Sequence, residues 1–296
     1  MKLEQMGFGL VCVDKTKPYK WRFSERASVV LFGPGLDPQT ALALRLVELH
    51  LTRMLPKSTL RALQPHLSAA QKALTGKPVA RWLDKVRLIP RSQPLDPPKV
   101  DGAIVGVVHE ALLEGRQIRA RYQARESDHA KEMTLNPLGL VYRDSVAYLV
   151  ATVPKFTDPR LFPLHRFHDA VMLETRAFAV GGFDLDEYIA AGEIGFRIGD
   201  RDIRVELRFT DGAGRAVEET PLHPQQTVLH SAAGTIVVRA TVPDTRVLRS
   251  WILGFGPHVE VIAPRSLRRA VADAHAAAAT TYRRSKRAGQ RASGKT

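Results

Sequence analysis

The stretch Leu135–Phe167, LNPLGLVYRDSVAYLVATVPKFTDPRLFPLHRF, decides how the rest of the chain is interpreted. Two apolar runs, Leu138–Tyr142 and Val146–Val153, flank the polar pair Arg143-Asp144, a pattern typical of two strands joined by a tight turn. A proline-containing loop follows, and then basic residues stand among leucine and phenylalanine. Cations within an apolar β framework are costly unless an anion meets them. This cost is the first indication of function.

The basic and aromatic residues around this hairpin form a candidate anion site. Guanidinium groups beside an aromatic ring suit a phosphate and a stacked base. The candidates are Arg119, Arg121, Arg143, Tyr148, Arg160 and Arg166. The alternative is that these arginines form salt bridges with acids that lie close in sequence, namely Asp144, Asp158, Asp169 and Glu174. Spacing alone gives the two interpretations about equal weight.

The composition is that of a soluble protein with two or three domains. The chain has 296 residues, of which 44% are apolar and 25% charged. No apolar run approaches the roughly 20 residues that cross a bilayer, and no signal peptide is evident. The single cysteine, Cys12, excludes an intrachain disulfide and a cysteine-rich metal site. We therefore expect a cytoplasmic protein with no membrane partner.

The net charge of +14 suggests a polyanionic partner such as nucleic acid. Six of these charges belong to the tail that follows Tyr282, and the rest of the chain remains basic without them. An arginine-rich coding background explains the same composition equally well. Charge alone does not choose between the two explanations.

Catalytic motifs are missing from the sequence. There is no Walker A loop, no G-x-S-x-G, no H-E-x-x-H and no C-x-x-C. His165 and His168 lie three residues apart in a predicted strand or turn, so they need not converge on a metal ion. The sequence predicts a protein that is not an enzyme, with no catalytic residues, no metal site and no cofactor.

The first 30 residues are typical of the end of a winged helix-turn-helix. Lys2–Met6 reads as the end of a helix, and Phe8–Val13 and Tyr19–Phe23 read as the two strands of a hairpin. The basic residues of this hairpin, which would place charge on DNA phosphates, are Lys15, Lys17, Lys20 and Arg22. An ordinary exposed hairpin is the alternative.

Residues 37–90 predict a helical connector. Asp37 is the expected N-cap of its first helix, and Ser58 that of its second. After a proline-rich linker, Val100–Glu114 predicts a helix that ends at Gly115. The following strands include Glu132–Leu135 and Gly139–Tyr142, and they predict a small, strongly bent barrel within residues 100–192.

The last 100 residues alternate between strand and helix patterns. Three strands, a helix at Arg246–Leu253, a fourth strand and a helix at Ser266–Tyr282 predict a small α/β sandwich within residues 200–282. Residues 283–296 are basic and low in complexity, and we expect them to be disordered, with a weak nonspecific affinity for polyanions.

Several motifs, in the right order, resemble the WYL domain of bacterial transcriptional regulators. Ala147-Tyr148-Leu149 matches the signature tripeptide, with alanine in place of tryptophan. Arg160 and Phe162–Phe167 match a later pattern of an arginine followed by Phe-x-Leu-x-Arg and a hydrophobic residue, and Asn136–Leu140 matches the proline-led strand before it. The region after Asp202 resembles the C-terminal extension of these regulators. The segments KPYKWRFS and LHLTRMLP resemble a branch associated with phage-defence loci.

The resemblance implies an α+β protein that assembles as a homodimer. It would contain a winged-helix remnant with its β-hairpin wing, a helical connector, an Sm-like or SH3-like β-barrel WYL domain and a small C-terminal α/β domain. The barrel of the family is thought to sense a nucleotide or oligonucleotide effector that changes DNA binding. At the matching positions Tyr148, Arg160 and Arg166 would line the pocket with His165 beside them, and Arg121 and Arg143 are further candidates.

We therefore expect a ligand-responsive, DNA-binding transcriptional regulator. Few residues precede the predicted wing, so most of the helix-turn-helix is expected to be missing from this chain. A misassigned start, a truncated gene or a sensor without this motif would each explain it. The alternative function is a WYL nucleic-acid-binding module without a sequence-specific DNA reader of its own.

Overall fold

The structure, a computed structural model, describes residues 10–14, 20–23, 36–87, 93, 95–178, 180–231 and 234–292. The chain divides into two compact units, Met1–Val180 and Gly181–Thr296. Both contain helices and antiparallel sheets, so the fold class is mixed α+β, as predicted. Within the described ranges, every helix falls short of the length and apolarity that a membrane span requires.

The first described elements form the predicted basic hairpin. Strands β1 (Leu10–Asp14) and β2 (Lys20–Phe23) pair in antiparallel orientation. Two of the four predicted DNA contacts lie on β2, while Lys15 and Lys17 lie outside the described residues. The predicted helix end at Lys2–Met6 also lies outside them. Of the expected winged-helix remnant, the structure therefore describes only the two strands of the hairpin.

Three helices form the connector, with the bounds α1 (Pro38–Leu51), α2 (Lys57–Leu74) and α3 (Ala80–Lys85). Asp37 caps α1 as predicted, because its carboxylate accepts two amides of the first turn at 2.9 and 3.1 Å. The prediction that Ser58 caps α2 was wrong, since the helix begins one residue earlier. The Ser58 hydroxyl instead donates to Glu110 Oε1 at 2.9 Å.

One helix and five strands complete the first unit. Their bounds are α4 (Gly102–Glu114), β3 (Arg116–Tyr122), β4 (Lys131–Arg143), β5 (Val146–Thr152), β6 (Arg160–Pro163) and β7 (Phe167–Arg176). Gly115 ends α4 as predicted, with a φ of 64° that favours glycine. The strands pair in the order β6-β5-β4-β3-β7, and each adjacent pair is antiparallel.

One prediction about the strands of this sheet was wrong. The sequence indicates separate strands at Glu132–Leu135 and Gly139–Tyr142, but β4 runs through both. Its first half pairs with β3 and its second half with β5, and the register shifts between Pro137 and Gly139. A shift at this point accommodates a proline, which has no N–H for the ladder. Asn136, only 2% exposed, holds the bend by side-chain hydrogen bonds to three neighbouring segments.

The sheet of the first unit is strongly curved but open. Adjacent strands lie about 4.8 Å apart, so β3 and β6 would be about 14 Å apart in a flat sheet. Tyr122 of β3 and Phe162 of β6 nevertheless have ring centroids only 5.2 Å apart. The predicted closed barrel is not observed, because no ladder joins β6 to β7 among the described residues. A 3-10 turn at Leu164–Arg166 connects these edge strands directly.

The second unit, Gly181–Thr296, combines helices with one antiparallel sheet, where the sequence predicted a small α/β sandwich within residues 200–282. Its elements are α5 (Leu185–Ala190), β8 (Arg197–Phe209), α6 (Arg215–Glu219), β9 (Thr227–His230), β10 (Ile236–Thr245), α7 (Arg246–Leu253), β11 (Val259–Ala263) and α8 (Arg265–Ala292). The antiparallel order β11-β8-β10-β9 is that of a split β-α-β-β-α-β unit. Its core includes Leu207 and Phe209 of β8, Ile252 of α7 and Leu267 of α8.

Helix α8 differs from its prediction at both ends. It begins at Arg265, and it continues to Ala292 through a segment that was expected to be disordered. The alanine-rich composition favours a helix, and basic residues near a helix C-terminus are stabilised by the helix dipole. Residues 293–296 lie outside the described part.

Candidate functional site: an aromatic cleft with basic groups

The alternation of side chains along β5 assigns residues to the two faces of the curved sheet. Leu149 and Ala151 are fully buried in the core that includes residues of α4, and they define an inner face. Tyr148 directly precedes Leu149 in sequence and therefore lies on the outer face. It pairs with Val141, and Arg143, two residues further along β4, shares that outer face.

A cleft of about 240 Å³ opens on the inner face. Arg160 contributes to it because it pairs in register with the inner-face residue Ala151. Phe162, two residues further along β6, points to the same side. The complete lining is Tyr122, Ala124, Ser127, His129, Lys131, Met133, Val153, Arg160 and Phe162.

Aromatic rings form one wall of this cleft. Tyr122 is 8% exposed, and its ring meets those of Phe162 and Phe167 edge-on at centroid distances of 5.2 Å. Burial raises the pKa of Tyr122, while its hydrogen bond from the Arg166 guanidinium opposes the rise. The wall therefore carries a neutral phenol that accepts from Arg166.

The cations near the cleft are not neutralised in the way that the salt-bridge alternative requires. None of the ion pairs in the described part of the chain joins Arg121, Arg160 or Arg166 to a carboxylate. Arg160 instead lies over the ring of Phe156, 5.7 Å from its centroid, a cation–π distance. Glu174, one of the proposed acidic partners, pairs with Arg116 at 2.6 Å.

His165 lies in the 3-10 turn beside Arg166. Its Nδ1 atom is buried without a hydrogen-bond partner. Burial first, and the neighbouring Arg166 second, lower the pKa of the imidazole. A neutral imidazole with an unsatisfied ring nitrogen is thus placed next to the guanidinium that binds Tyr122.

The structure does not bring the six predicted effector contacts together. Arg160 lines the cleft, Arg166 binds its phenol, and His165 shares the turn of Arg166. Tyr148 and Arg143 lie on the outer face, and Arg143 approaches Asp144 at 3.7 Å. Arg121 is exposed, and its register partners on the two adjacent strands are Glu132 and Asp169.

Sequence reasoning missed the other residues of the cleft, chiefly Tyr122, His129, Lys131 and Phe162. A signal was present, since Phe162 follows Arg160 at the two-residue spacing that places strand residues on one face. Among the described residues, no group of three or more histidine, cysteine or acidic side chains has the arrangement of a metal site.

Comparison with known proteins identifies two domains in the chain. Residues 103–172 match the model of the WYL domain, and residues 201–279 match that of the WCX domain. The cleft and its aromatic wall lie within the first match. No curated protein matches the chain.

Two solved structures are similar to parts of the chain. One is proteasome accessory factor B/C (PafBC) of Arthrobacter aurescens, with 23% identity and a TM-score of 0.26, covering 72% of this chain and 32% of that chain. The other is a CRISPR Cas-related protein, with 12% identity and a TM-score of 0.40, covering 62% of this chain and 53% of that chain. The chain therefore spans about a third and about half of the length of these two proteins.

Proposed function

We propose that this protein is a ligand-responsive transcriptional regulator whose WYL domain binds an anionic effector, a nucleotide or a short oligonucleotide, in the inner-face cleft. The observation that carries the proposal is the meeting of Arg160 and Lys131 with the Tyr122 and Phe162 rings in one cleft. The match of residues 103–172 supports it, because WYL domains are typical of regulators.

The chemistry of the cleft suits a nucleotide. A phosphate would accept charge-assisted hydrogen bonds from Arg160 and Lys131. Phe156 is 56% exposed beside Arg160, and its ring would stack on a base. Nothing in this arrangement calls for bond making or breaking, so the proposed role is binding and not catalysis.

The readout of effector binding would be a change in DNA affinity. In the proposal the hairpin β1–β2 contacts DNA phosphates through Lys15, Lys17, Lys20 and Arg22. The protein acts as a homodimer with two states, and the effector shifts their populations because it binds one state more tightly.

The test is a titration of the full chain with nucleoside triphosphates and with a fluorescent tetranucleotide, followed by fluorescence anisotropy. Arg160→Gln should weaken effector binding by about tenfold or more, since a hydrogen bond to a charged group contributes about 1.5–3 kcal/mol. Arg121→Gln is the matched control, because it removes the same charge from the outer face. Equal effector affinities for the two variants would contradict the proposal that the effector binds in the cleft. Effector binding that leaves DNA affinity unchanged would favour a nucleic-acid-binding module without its own DNA reader.

A further inference from the structure

We infer that the homodimer is held by a groove in the helical connector of one protomer and helix α5 of its partner, a contact that occurs twice in a two-fold symmetric dimer. The connector groove is the depression between α1, α2 and α3 whose apolar lining is Leu49, Leu74, Ala80, Leu83 and Val86. The inference rests on the homodimer of the proposed function, for which it names the interface. The groove shares no residue with the effector cleft.

The connector groove is an apolar surface that the connector itself leaves open. It has a volume of about 500 Å³, within the range of about 300–1,000 Å³ that is typical of binding pockets. Its floor belongs to a small core whose buried members are Ala41, Ala70 and Leu74. Leu49 and Val86 line the same groove and are 55% and 42% exposed. A concave surface with exposed apolar side chains favours the docking of another apolar surface.

The segment from Gln71 to Arg87, which supplies most of the groove lining, is strongly basic. It contains five basic residues and one acid, Asp84. In the described part of the chain, no ion pair joins its four exposed lysine and arginine side chains before Arg87 to a carboxylate, namely Lys72, Lys77, Arg81 and Lys85. Arg87 itself donates to the backbone carbonyls of Leu83 and Val86. The occupant that complements this groove is therefore both apolar and acidic.

Helix α5 and the residues beside it have this complementary character. Residues 183–194 contain four acids and no basic residue. At 100° per residue, the exposed side chains of α5 cover an arc of about 160° and comprise Asp186, Glu187, Ile189 and Ala190. Ile189 is 42% exposed. This face thus combines an apolar side chain with two carboxylates, as the groove requires.

The second unit holds α5 in a fixed position. Asp184 caps the helix, since its carboxylate accepts the Glu187 amide at 2.9 Å. After the helix, a Cβ atom at Gly192 would lie only 2.6 Å from the Cβ atom of Pro243, so glycine permits a close approach to β10. A docking element that is already ordered loses little conformational entropy when it binds.

Other occupants fit the connector groove less well. A nucleic acid would meet the cations, but the described lining offers no aromatic ring on which a base could stack. A membrane surface needs an apolar face that projects into it, whereas Leu74, only 3% exposed, lies at the floor of a depression. An acidic helix of another protein would have the same chemistry as α5, and the experiment separates it from a second copy of this chain.

The experiment measures the dimer dissociation constant of the full chain by sedimentation velocity. One variant reverses charges beside the groove, as R81E with K85E, and the other reverses charges on α5, as D186K with E187K. Each variant alone should dimerise about 100-fold more weakly or worse, because both contacts of its dimer would bring like charges together. An equimolar mixture should form heterodimers with nearly the wild-type affinity, since every contact then joins opposite charges.

Matched controls reverse the same numbers of exposed charges elsewhere in each unit, as R61E with K99E and D200K with E219K. Both controls should keep the wild-type affinity, and circular dichroism melting checks that every variant is folded. Ile189→Gln should weaken the dimer about tenfold, as expected for an interface anchor. Leu229→Gln, at a residue that is 48% exposed in the same unit, should not.

Three outcomes would overturn the inference. Wild-type affinity in both interface variants would place the dimer contact on another surface. Weakened dimers that the mixture does not recover would show that the groove and α5 do not meet each other, and would leave the groove to a different acidic partner. A monomeric wild-type protein would overturn the homodimer as well, while effector titrations would still test the cleft separately.

Discussion

The arginines beside the cleft of the first unit and those on the sheet of the second unit have different partners. In the second unit Arg239 pairs with Glu206 at 3.0 Å, and Arg208 and Arg268 share Glu260 at 2.7 and 2.8 Å. In the first unit neither Arg160 nor Arg166 has a carboxylate partner in the described part of the chain. The arginines of the second unit are neutralised by carboxylates of the same unit, whereas Arg160 contacts the Phe156 ring and Arg166 the Tyr122 hydroxyl. In the proposed function, the charges of these two arginines are available to an anionic effector.

Strand register explains the difference. Arg239 stands directly across from Glu206, and Arg208 directly across from Glu260. Arg160 stands across from Ala151, which offers no charge. Closeness in sequence does not by itself produce an ion pair, since no ion pair among the described residues joins Arg160 to Asp158. In these two pairs of the second sheet, the residue across the ladder supplies the carboxylate.

The largest expected effect comes from adding a carboxylate to the cleft, whose described lining contains no acidic residue. Ala124 is exposed and lines the cleft. Ala124→Glu should weaken effector binding by about 100-fold, because like charges placed together in an interface cost several kcal/mol. Anisotropy titration measures the loss, and Ala124→Gln controls for side-chain size. Similar affinities for the two variants would show that the cleft does not bind an anion.

The next effect comes from removing an arginine that is already neutralised. Arg249 donates two hydrogen bonds to Asp244, at 3.0 and 2.7 Å, and the Asp244 side chain is 13% exposed. Arg249→Ala should destabilise the second unit by about 1–3 kcal/mol, because it leaves a largely buried carboxylate without its partner. Urea unfolding measures this change, and the exposed neighbour Arg246→Ala is the control. A loss of effector affinity without a loss of stability would contradict the structural role that we assign to Arg249.

A smaller, pH-dependent effect is expected for a buried polar group of the first unit. His109 is 6% exposed, its Nε2 lies 3.3 Å from the Tyr142 hydroxyl, and burial lowers the pKa of the imidazole from 6.5. The unfolded chain then binds more protons than the folded one, so stability should fall as the pH drops below about 6.5.

Melting curves between pH 8 and pH 5 measure this dependence. His109→Gln should flatten it, since glutamine does not titrate, and His275→Gln controls for the loss of an exposed imidazole. A wild-type dependence in the His109 variant would assign the titration to another group, such as His165, whose pKa is lowered as well.

The smallest effect concerns a partly exposed pair of the second sheet. The hydrogen bond from Arg239 is the main cause that lowers the pKa of Glu206. The pair therefore adds stability above the ordinary pKa of 4.5, and this contribution is lost as the pH falls through the folded-state pKa. Arg239→Gln should return the pKa of Glu206 toward its ordinary value, as followed by carboxyl NMR, with little change in stability because the pair is solvated. An unchanged pKa would show that the register pair does not set it.

Local patterns in the sequence predicted much of the fold. Residues adjacent in sequence are enough to predict the cap at Asp37, the helix end at Gly115 and the strands around Tyr148. Beyond Tyr282 the basic, low-complexity composition predicted disorder, but α8 continues through this segment to Ala292. Continuity of β4 through Pro137 depended on the partner strands that hold both of its halves.

The candidate site was harder to predict because it depends on contacts that are distant in sequence. Alternation alone separates Tyr148 from Leu149, and it would have placed Arg160 with Phe162. The meeting of Tyr122 with Phe162 and with Arg166 requires the curvature of the sheet and the turn between its edge strands. Neither is encoded in a local pattern.

The continuity of β4 also limits how the length of this domain can vary. Two separate strands joined by a loop would tolerate insertions between them. In β4 one added or deleted residue would move every later side chain to the opposite face of the sheet, or break the pairing with one of its two neighbours. The loop at Val153–Pro159 carries no such constraint, because it belongs to no ladder. Length variants that still fold should therefore concentrate in that loop, beside Arg160, where an added residue would reshape the mouth of the cleft and leave both ladders intact.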